Sequence, residues 1–131
     1  MFNYKFWGIN SLSGIDNMAL EELFLADTAD KRSAHLRFYD FNTDSIILGY
    51  GQATDVVKNW SSVNVVRRPS GGSHVFVGGN TLAYSVIIPR DGSFVNHQDF
   101  RVFYADKVAD AFERVGISGI TRDHNVSTIM H

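Results

Sequence analysis

The densest concentration of chemically capable residues is Val65-Val66-Arg67-Arg68-Pro69-Ser70-Gly71-Gly72-Ser73-His74-Val75-Phe76. Two guanidinium groups leave a β-branched run and enter a loop with paired glycines. Gly71 and Gly72 can take φ > 0 and admit the close approach of a ligand or another backbone. Successive amides in such a loop form an anion-binding concavity. Arginine offers a planar fork matched to phosphate or carboxylate, and Ser70 adds a hydroxyl. Together these groups can hold a phosphate ester and stabilise charge that develops on it. The same spacing also fits a plain hairpin turn with surface arginines, so spacing alone leaves both readings open. His74 invites a catalytic reading, although a lone histidine beside a strand is more often a surface or packed residue.

Other chemistry is thinly represented. His35, His97, His124 and His131 show no metal-ligand spacing, and no metal site is expected from the residues alone. Asp123-His124-Asn125 fits ion or substrate binding, and fits a turn as well. Phe38, Tyr39, Phe41 and Tyr50 can line a ligand pocket or fill a core. The absence of cysteine removes disulfide and thiolate-zinc chemistry. With 12 basic and 14 acidic residues the formal charge is −2, which predicts no general affinity for nucleic acid or anionic membrane. The start of the chain lacks the pattern of a signal peptide, and no apolar run reaches spanning length. The reading is a soluble, cytoplasmic protein, with 44% apolar residues to build one core in 131.

The elements that must position the loop follow from periodicity. Residues 4–9 read as a strand. A turn at 11–14 leads into a helix with Asp16 or Asn17 as N-cap and Ile15, Met18, Ala19, Glu22, Leu23 and Ala26 at helical spacing. Residues 36–41 and 45–48 read as paired strands about the turn Asn42-Thr43-Asp44. A short helix over 54–60, capped by Thr54, precedes a strand at 63–67 and the loop 68–73. Residues 74–77 and 82–88 read as a second hairpin around Gly78-Gly79-Asn80. The helix over 99–115 carries Phe100, Phe103, Tyr104, Val108, Phe112 and Val115 as one stripe, and Gly116 ends it. Residues 117–120 and 126–130 are expected as further strands. The fold class is α+β, a mixed, largely antiparallel sheet with flanking helices.

Four segments, in order, resemble the lipoate–protein ligase and octanoyltransferase family, which shares its catalytic fold with biotin–protein ligases. They are Asn17-Met18-Ala19-Leu20-Glu21-Glu22; Leu36-Arg37-Phe38-Tyr39 with Ile46-Ile47-Leu48-Gly49-Tyr50-Gly51-Gln52; Arg67-Arg68-Pro69-Ser70-Gly71-Gly72; and Leu82-Ala83-Tyr84-Ser85-Val86-Ile87. The loop alone is a short motif; the four in register cover about half the chain.

The resemblance implies that lipoate or octanoate is activated with ATP, and by the same resemblance Mg2+, to an acyl-adenylate. The acyl group then passes to a lysine of a lipoyl-domain acceptor protein. It implies catalytic roles for Arg67 and Arg68, and substrate or nucleotide contacts from Arg67, Ser70, Gly71, Gly72, Ser73, His74, Val75, Phe76 and Asn125. Two other functions stay open: an octanoyl or lipoyl transferase that uses no ATP, and a non-catalytic subunit that binds an acyl group or a lipoyl domain. The chain departs from the family's pattern at His74, where alanine is usual, at Val77, where histidine is usual, and at His124-Asn125. It is expected to be the N-terminal part of one such domain, ending before the family's active-site lysine. Further sequence or a second chain would then be needed to complete it.

Overall fold

Ser13 starts the first helix. Its backbone is extended, and its hydroxyl accepts a hydrogen bond from the Asp16 amide at 3.1 Å, satisfying one of the helix's orphan donors. The cap therefore lies three residues before Asp16, itself an expected cap. The computed structural model describes residues 3–60 and 62–120 in two compact units, Met1–Pro89 and Arg90–His131.

In the first unit, β1 (Asn3–Leu12), α1 (Gly14–Lys31) and β2 (Ser33–Phe41) form a parallel crossover. They are followed by β3 (Ser45–Leu48), a 3-10 turn (Thr54–Val57), β4 (Asn64–Arg67), β5 (Val75–Val77) and β6 (Ala83–Ile87). Two three-stranded sheets result, ordered β1-β2-β6 and β4-β3-β5. Each sheet holds one parallel and one antiparallel pair, the mixed α+β architecture expected.

Neither expected hairpin forms. β2 pairs with β1 and β6, whereas β3 pairs with β4 and β5, so the Asn42-Thr43-Asp44 turn carries the chain between sheets. The segment through Gly78-Gly79-Asn80 likewise joins β5 to β6 across sheets. Short strands give no local sign of their partner, and here each pairs with a strand other than the one across its turn. The 3-10 turn at Thr54 also differs from the expected cap, because Ala53 occupies the N-cap without a side-chain bond.

The two sheets share one core. Met18 of α1 packs with Tyr39, Phe41, Ile47 and Val77, and Val66 and Ala83 close it. Each fully buried apolar side chain of this kind contributes about 1.5–3 kcal/mol. The face of α1 that does this is not the one its apolar residues predict. Gly14, Asn17, Met18, Glu21, Phe24 and Thr28 are buried, while Ile15 and Leu23 are exposed.

The reason is a buried polar cluster. Arg37 on β2 is fully enclosed. Its Nη1 donates to Glu21 Oε1 at 2.9 Å and to the Asn17 carbonyl at 3.3 Å, and Nη2 donates to Asn17 Oδ1. Ser85 on β6 donates to the same Glu21 oxygen at 2.9 Å, and Asn17 Nδ2 donates to the carbonyls of Leu12 and Asp40. The Tyr39 ring lies 4.0 Å from the Arg37 Cζ. Burial raises the Glu21 carboxyl above its ordinary value, opposed by the bonds from Arg37 and Ser85. Turning α1 to bury Ile15 and Leu23 would strand this charge.

A second polar group ties β1 to the same layer. The Trp7 indole, a donor only, donates to His35 Nδ1 at 3.1 Å. The His35 proton therefore sits on Nε2, which donates to Asp27 Oδ2 at 3.0 Å. Lys5 and Lys31 each reach Asp27 at 2.8 Å. Their bonds hold its carboxyl far below the usual carboxylate range.

In the second unit α2 (His97–Arg114) starts from Asn96, whose side chain accepts from the Asp99 amide at 3.0 Å. Phe94 meets the rings of Phe100, Phe103 and Tyr104. The helix closes at Gly116, φ +90°, with the Ile117 amide bonded to the Phe112 carbonyl. The strand expected at 117–120 is absent, broken by the left-handed Gly116 and Gly119. The strand expected at 126–130 lies outside the described residues. No helix among them is long and apolar enough to cross a membrane.

Arg37→Ala should cost about 3–5 kcal/mol in urea unfolding, because it leaves Glu21 buried without its cation. A loss below 1 kcal/mol would contradict the pairing. For Asp27 the depressed folded pKa means its contribution is complete above the unfolded value, about 3.9, and is lost as pH falls through the folded one. The urea midpoints of wild type and Asp27→Asn should therefore differ at neutral pH and converge as the solution is acidified.

Candidate functional site

Strand order builds the site. β3 and β4 are parallel with Leu48 opposite Arg67, so their carboxyl ends lie side by side. Residues 49–52 leave the first end, and residues 68–74 leave the second. β5 pairs on the opposite edge of β3, so the chain from β4 must cross the end of the middle strand, where Gly49 stands. A Cβ at Gly49 would lie 1.9 Å from the Gly72 carbonyl oxygen and 3.3 Å from the Gly71 carbonyl carbon. The crossing is backbone on backbone, and it leaves no room for a side chain. Gly72 takes φ +92°, the left-handed turn that only glycine adopts freely. Of the two glycines expected to use that freedom, only Gly72 does so.

Both arginines are built into this crossing. Arg67 Nη1 donates to the carbonyls of Gly49 at 2.8 Å, Tyr50 at 2.9 Å and Gln52 at 2.6 Å, which folds the 49–52 turn around its guanidinium. Its Nε and Nη2 make no hydrogen bond among the described residues. Arg68 spends all three nitrogens inward: Nε and Nη2 on Gly71 O, Nη2 also on Ser73 O at 2.8 Å, and Nη1 on Ile47 O at 3.2 Å. Burial lowers its guanidinium below the ordinary value. Arg68 is thus a clamp on the loop, and Arg67 keeps one face of its fork open.

With the loop carbonyls gathered on the arginines, the amides are left over. Among the described residues those of Ser70, Gly71 and Gly72 make no turn, cap or side-chain hydrogen bond. The Ser70 carbonyl accepts from the Tyr50 amide at 2.9 Å, and the Arg68 amide donates to Leu48 O at 2.9 Å. Gln52 closes the turn: its Oε1 accepts from the Gly49 amide at 3.0 Å, and its Nε2 lies 3.3 Å from His74 Nδ1. Unpaired loop amides beside an unspent guanidinium are the donor set for an anionic oxygen.

The structure therefore brings Arg67, Arg68, Ser70, Gly71, Gly72, Ser73 and His74 together. Val75 and Phe76 follow on β5, each about half exposed, with the Phe76 ring 6.2 Å from Trp60. Asn125, with Asp123 and His124, lies outside the described residues. Tyr39 and Phe41 are core rather than pocket lining. Gly49 and Gln52 are site residues that the loop's own sequence does not indicate; the available signal is the Gly49-Tyr50-Gly51-Gln52 stretch, which interrupts the apolar run after β3. Among the described residues no three His, Cys, Asp or Glu side chains gather to hold a metal ion.

Gly49→Ala should open the crossing, since the new methyl displaces a backbone carbonyl rather than a flexible side chain. The overpacking costs about 1–3 kcal/mol, read as a fall in urea midpoint. Hydrogen exchange should quicken at Tyr50 and Arg68, whose amides bond across the crossing, before it quickens in α1. A variant as stable as wild type would refute the contact.

Comparison with known proteins follows the same outline. The family model described as "Lipoyl protein ligase A/B catalytic domain" matches residues 13–126. Octanoyltransferase LipM of Carboxydothermus hydrogenoformans is 34% identical over 96 residues, which is 66% of this chain and 34% of that protein. The crystal structure of lipoate-protein ligase A bound with ATP aligns with TM-score 0.64 at 22% identity, over 97% of this chain and 53% of that one. A bi-partite lipoate protein ligase from Thermoplasma acidophilum, studied with its E2 lipoyl domain, aligns with TM-score 0.66 at 21% identity, over 94% of this chain and 49% of that one. At such identities the two structures speak for the fold alone, and the chain spans only a third to a half of the length of these proteins. With a family match over most of its length, the chain belongs to the lipoyl protein ligase A/B catalytic domain family.

Proposed function

We propose that residues 67–74 are the acyl-adenylate loop of a lipoate–protein ligase. In this reading the unspent Nε and Nη2 of Arg67 and the amides of Ser70, Gly71 and Gly72 hold the phosphate and carbonyl oxygens. The observation that carries it is the division of labour in the loop: the Gly71 and Ser73 carbonyls held by Arg68 and that of Ser70 by the Tyr50 amide, with the amides left for an anion. Such donors are fixed before the ligand arrives, so they stabilise developing charge without reorganisation. The half-exposed Val75 and Phe76 lie next in sequence to receive an apolar acyl chain.

Lipoate or octanoate would be activated by ATP with loss of pyrophosphate, and the acyl group passed to a lysine of a lipoyl domain. The ATP-bound ligase among the structural neighbours supports the nucleotide, and the bi-partite ligase with its lipoyl domain supports the acceptor. Because the chain spans about half of those neighbours, the cation that completes the site is assigned to further sequence or a second chain. The similarity to an octanoyltransferase supports a second reading, acyl transfer between carriers without ATP.

In the completed assembly Arg67→Ala should reduce lipoate-dependent ATP–pyrophosphate exchange by about 10²-fold or more, as loss of a preorganised charge donor does. Unchanged exchange would remove the adenylate reading. Wild-type acyl transfer with no exchange at all would favour the transferase.

A further inference from the structure

His74 and Gln52 form a pair whose proton positions follow from the backbone. The Gly49 amide can only donate, so the Gln52 side-chain atom 3.0 Å from it is the carbonyl oxygen. The amide orientation is thereby fixed, and the nitrogen is the atom 3.3 Å from His74 Nδ1. An amide NH2 offers donors and no acceptor. His74 Nδ1 must then accept, which places the neutral ring's proton on Nε2. That nitrogen makes no hydrogen bond among the described residues, and the side chain is exposed two residues beyond the left-handed Gly72.

We propose that Gln52 is a positioning residue that sets the His74 tautomer, and that His74 Nε2–H is a further hydrogen-bond donor to an anionic oxygen bound at residues 67–74. The inference rests on the acyl-adenylate reading for the identity of that oxygen, a carboxylate or a phosphate, but not for the tautomer. Gln52 has four ties: its amide donates to the Gly49 carbonyl at 3.1 Å, its main-chain carbonyl accepts from Arg67 at 2.6 Å, its Oε1 accepts from the Gly49 amide, and its Nε2 donates to His74. One residue therefore links the arginine, the crossing point and the imidazole. His35 offers an internal standard, since Trp7 imposes the same Nε2–H tautomer on it at a separate place in the fold.

The test is long-range 1H–15N correlation on the full chain with 15N-histidine, at alkaline pH where imidazoles are neutral. The expected result is Nε2–H for His74 in wild type. In Gln52→Glu, whose carboxylate only accepts, His74 should switch to Nδ1–H while His35 keeps Nε2–H and reports an intact fold. Wild-type His74 as Nδ1–H, or a tautomer indifferent to Gln52→Glu, would overturn the assignment to Gln52.

Octanoate, AMP and octanoyl-sulfamoyl-adenosine are then added separately. A downfield move of Nε2–H with octanoate identifies a carboxyl oxygen, and with AMP a phosphate oxygen. His74→Ala should weaken binding of the sulfamate about tenfold, the worth of one such bond, and His74→Gln, which restores an N–H donor, should recover part of it. Tight binding that neither moves Nε2–H nor depends on His74 would overturn the donor role. If wild type fails to bind the sulfamate, the acyl-adenylate reading and the donor role fall together, while the tautomer result alone still decides the role of Gln52.

Discussion

A segment that passes from one edge of a three-stranded sheet to the other must cross the end of the middle strand. In this protein the crossing point is Gly49, and the crossing strand of backbone is Gly71-Gly72. Contact is so close that the two peptides occupy the volume any side chain would need. Much of the site is a consequence. The turn after β3 must fold back tightly, its carbonyls must be satisfied, and Arg67 arrives opposite Leu48 with the donors to satisfy them. The same constraint lifts the loop over the strand end, where Arg68 gathers its carbonyls from below.

Farther inside, the layer beneath α1 is organised by charge as much as by apolar packing. Arg37 is connected to α1 through Asn17 and Glu21, and Glu21 in turn to β6 through Ser85. This arrangement fixes the rotation of α1 about its axis, since a buried guanidinium tolerates few geometries. Its separation from the loop matters too: the polar core holds the frame, and the loop is free to be shaped by glycine and by local bonds. Three of the four motif segments therefore serve the frame, through Asn17 and Glu21, Arg37 and Ser85, and the arginine–glycine segment serves the rim.

Much of this was legible in the sequence, and what was not has identifiable causes. Periodicity and turn residues locate α1, β2, β3, β4 and α2 to within a few residues, because apolar runs such as Ser45–Leu48 and Asn64–Arg67 are set off by polar or glycine-bearing segments. Partner choice was another matter. Asn42-Thr43-Asp44 and Gly78-Gly79-Asn80 have hairpin composition, yet each connects separate sheets, for pairing depends on distant residues that a turn does not encode. The buried face of α1 departs from its apolar spacing because the Glu21–Arg37 pair must be enclosed, which leaves Ile15 and Leu23 exposed. At the site, the Arg-Arg-Pro-Ser-Gly-Gly string marks a loop with donors suited to an anion, but carries no sign that Arg68 turns inward or that Gly49 and Gln52 bond into the crossing. Those roles arise only when two strand ends lie abreast.

Arg68 has a consequence for how this chain can vary. Its three nitrogens are spread over the carbonyls of Gly71, Ser73 and Ile47. A lysine carries the same charge but concentrates its donors on one tetrahedral nitrogen, and cannot span carbonyls set apart in this way. At most surface sites the exchange of Arg for Lys passes unnoticed; here it would leave peptide oxygens without partners. The position is therefore closed to the commonest basic substitution, for a reason of shape rather than charge.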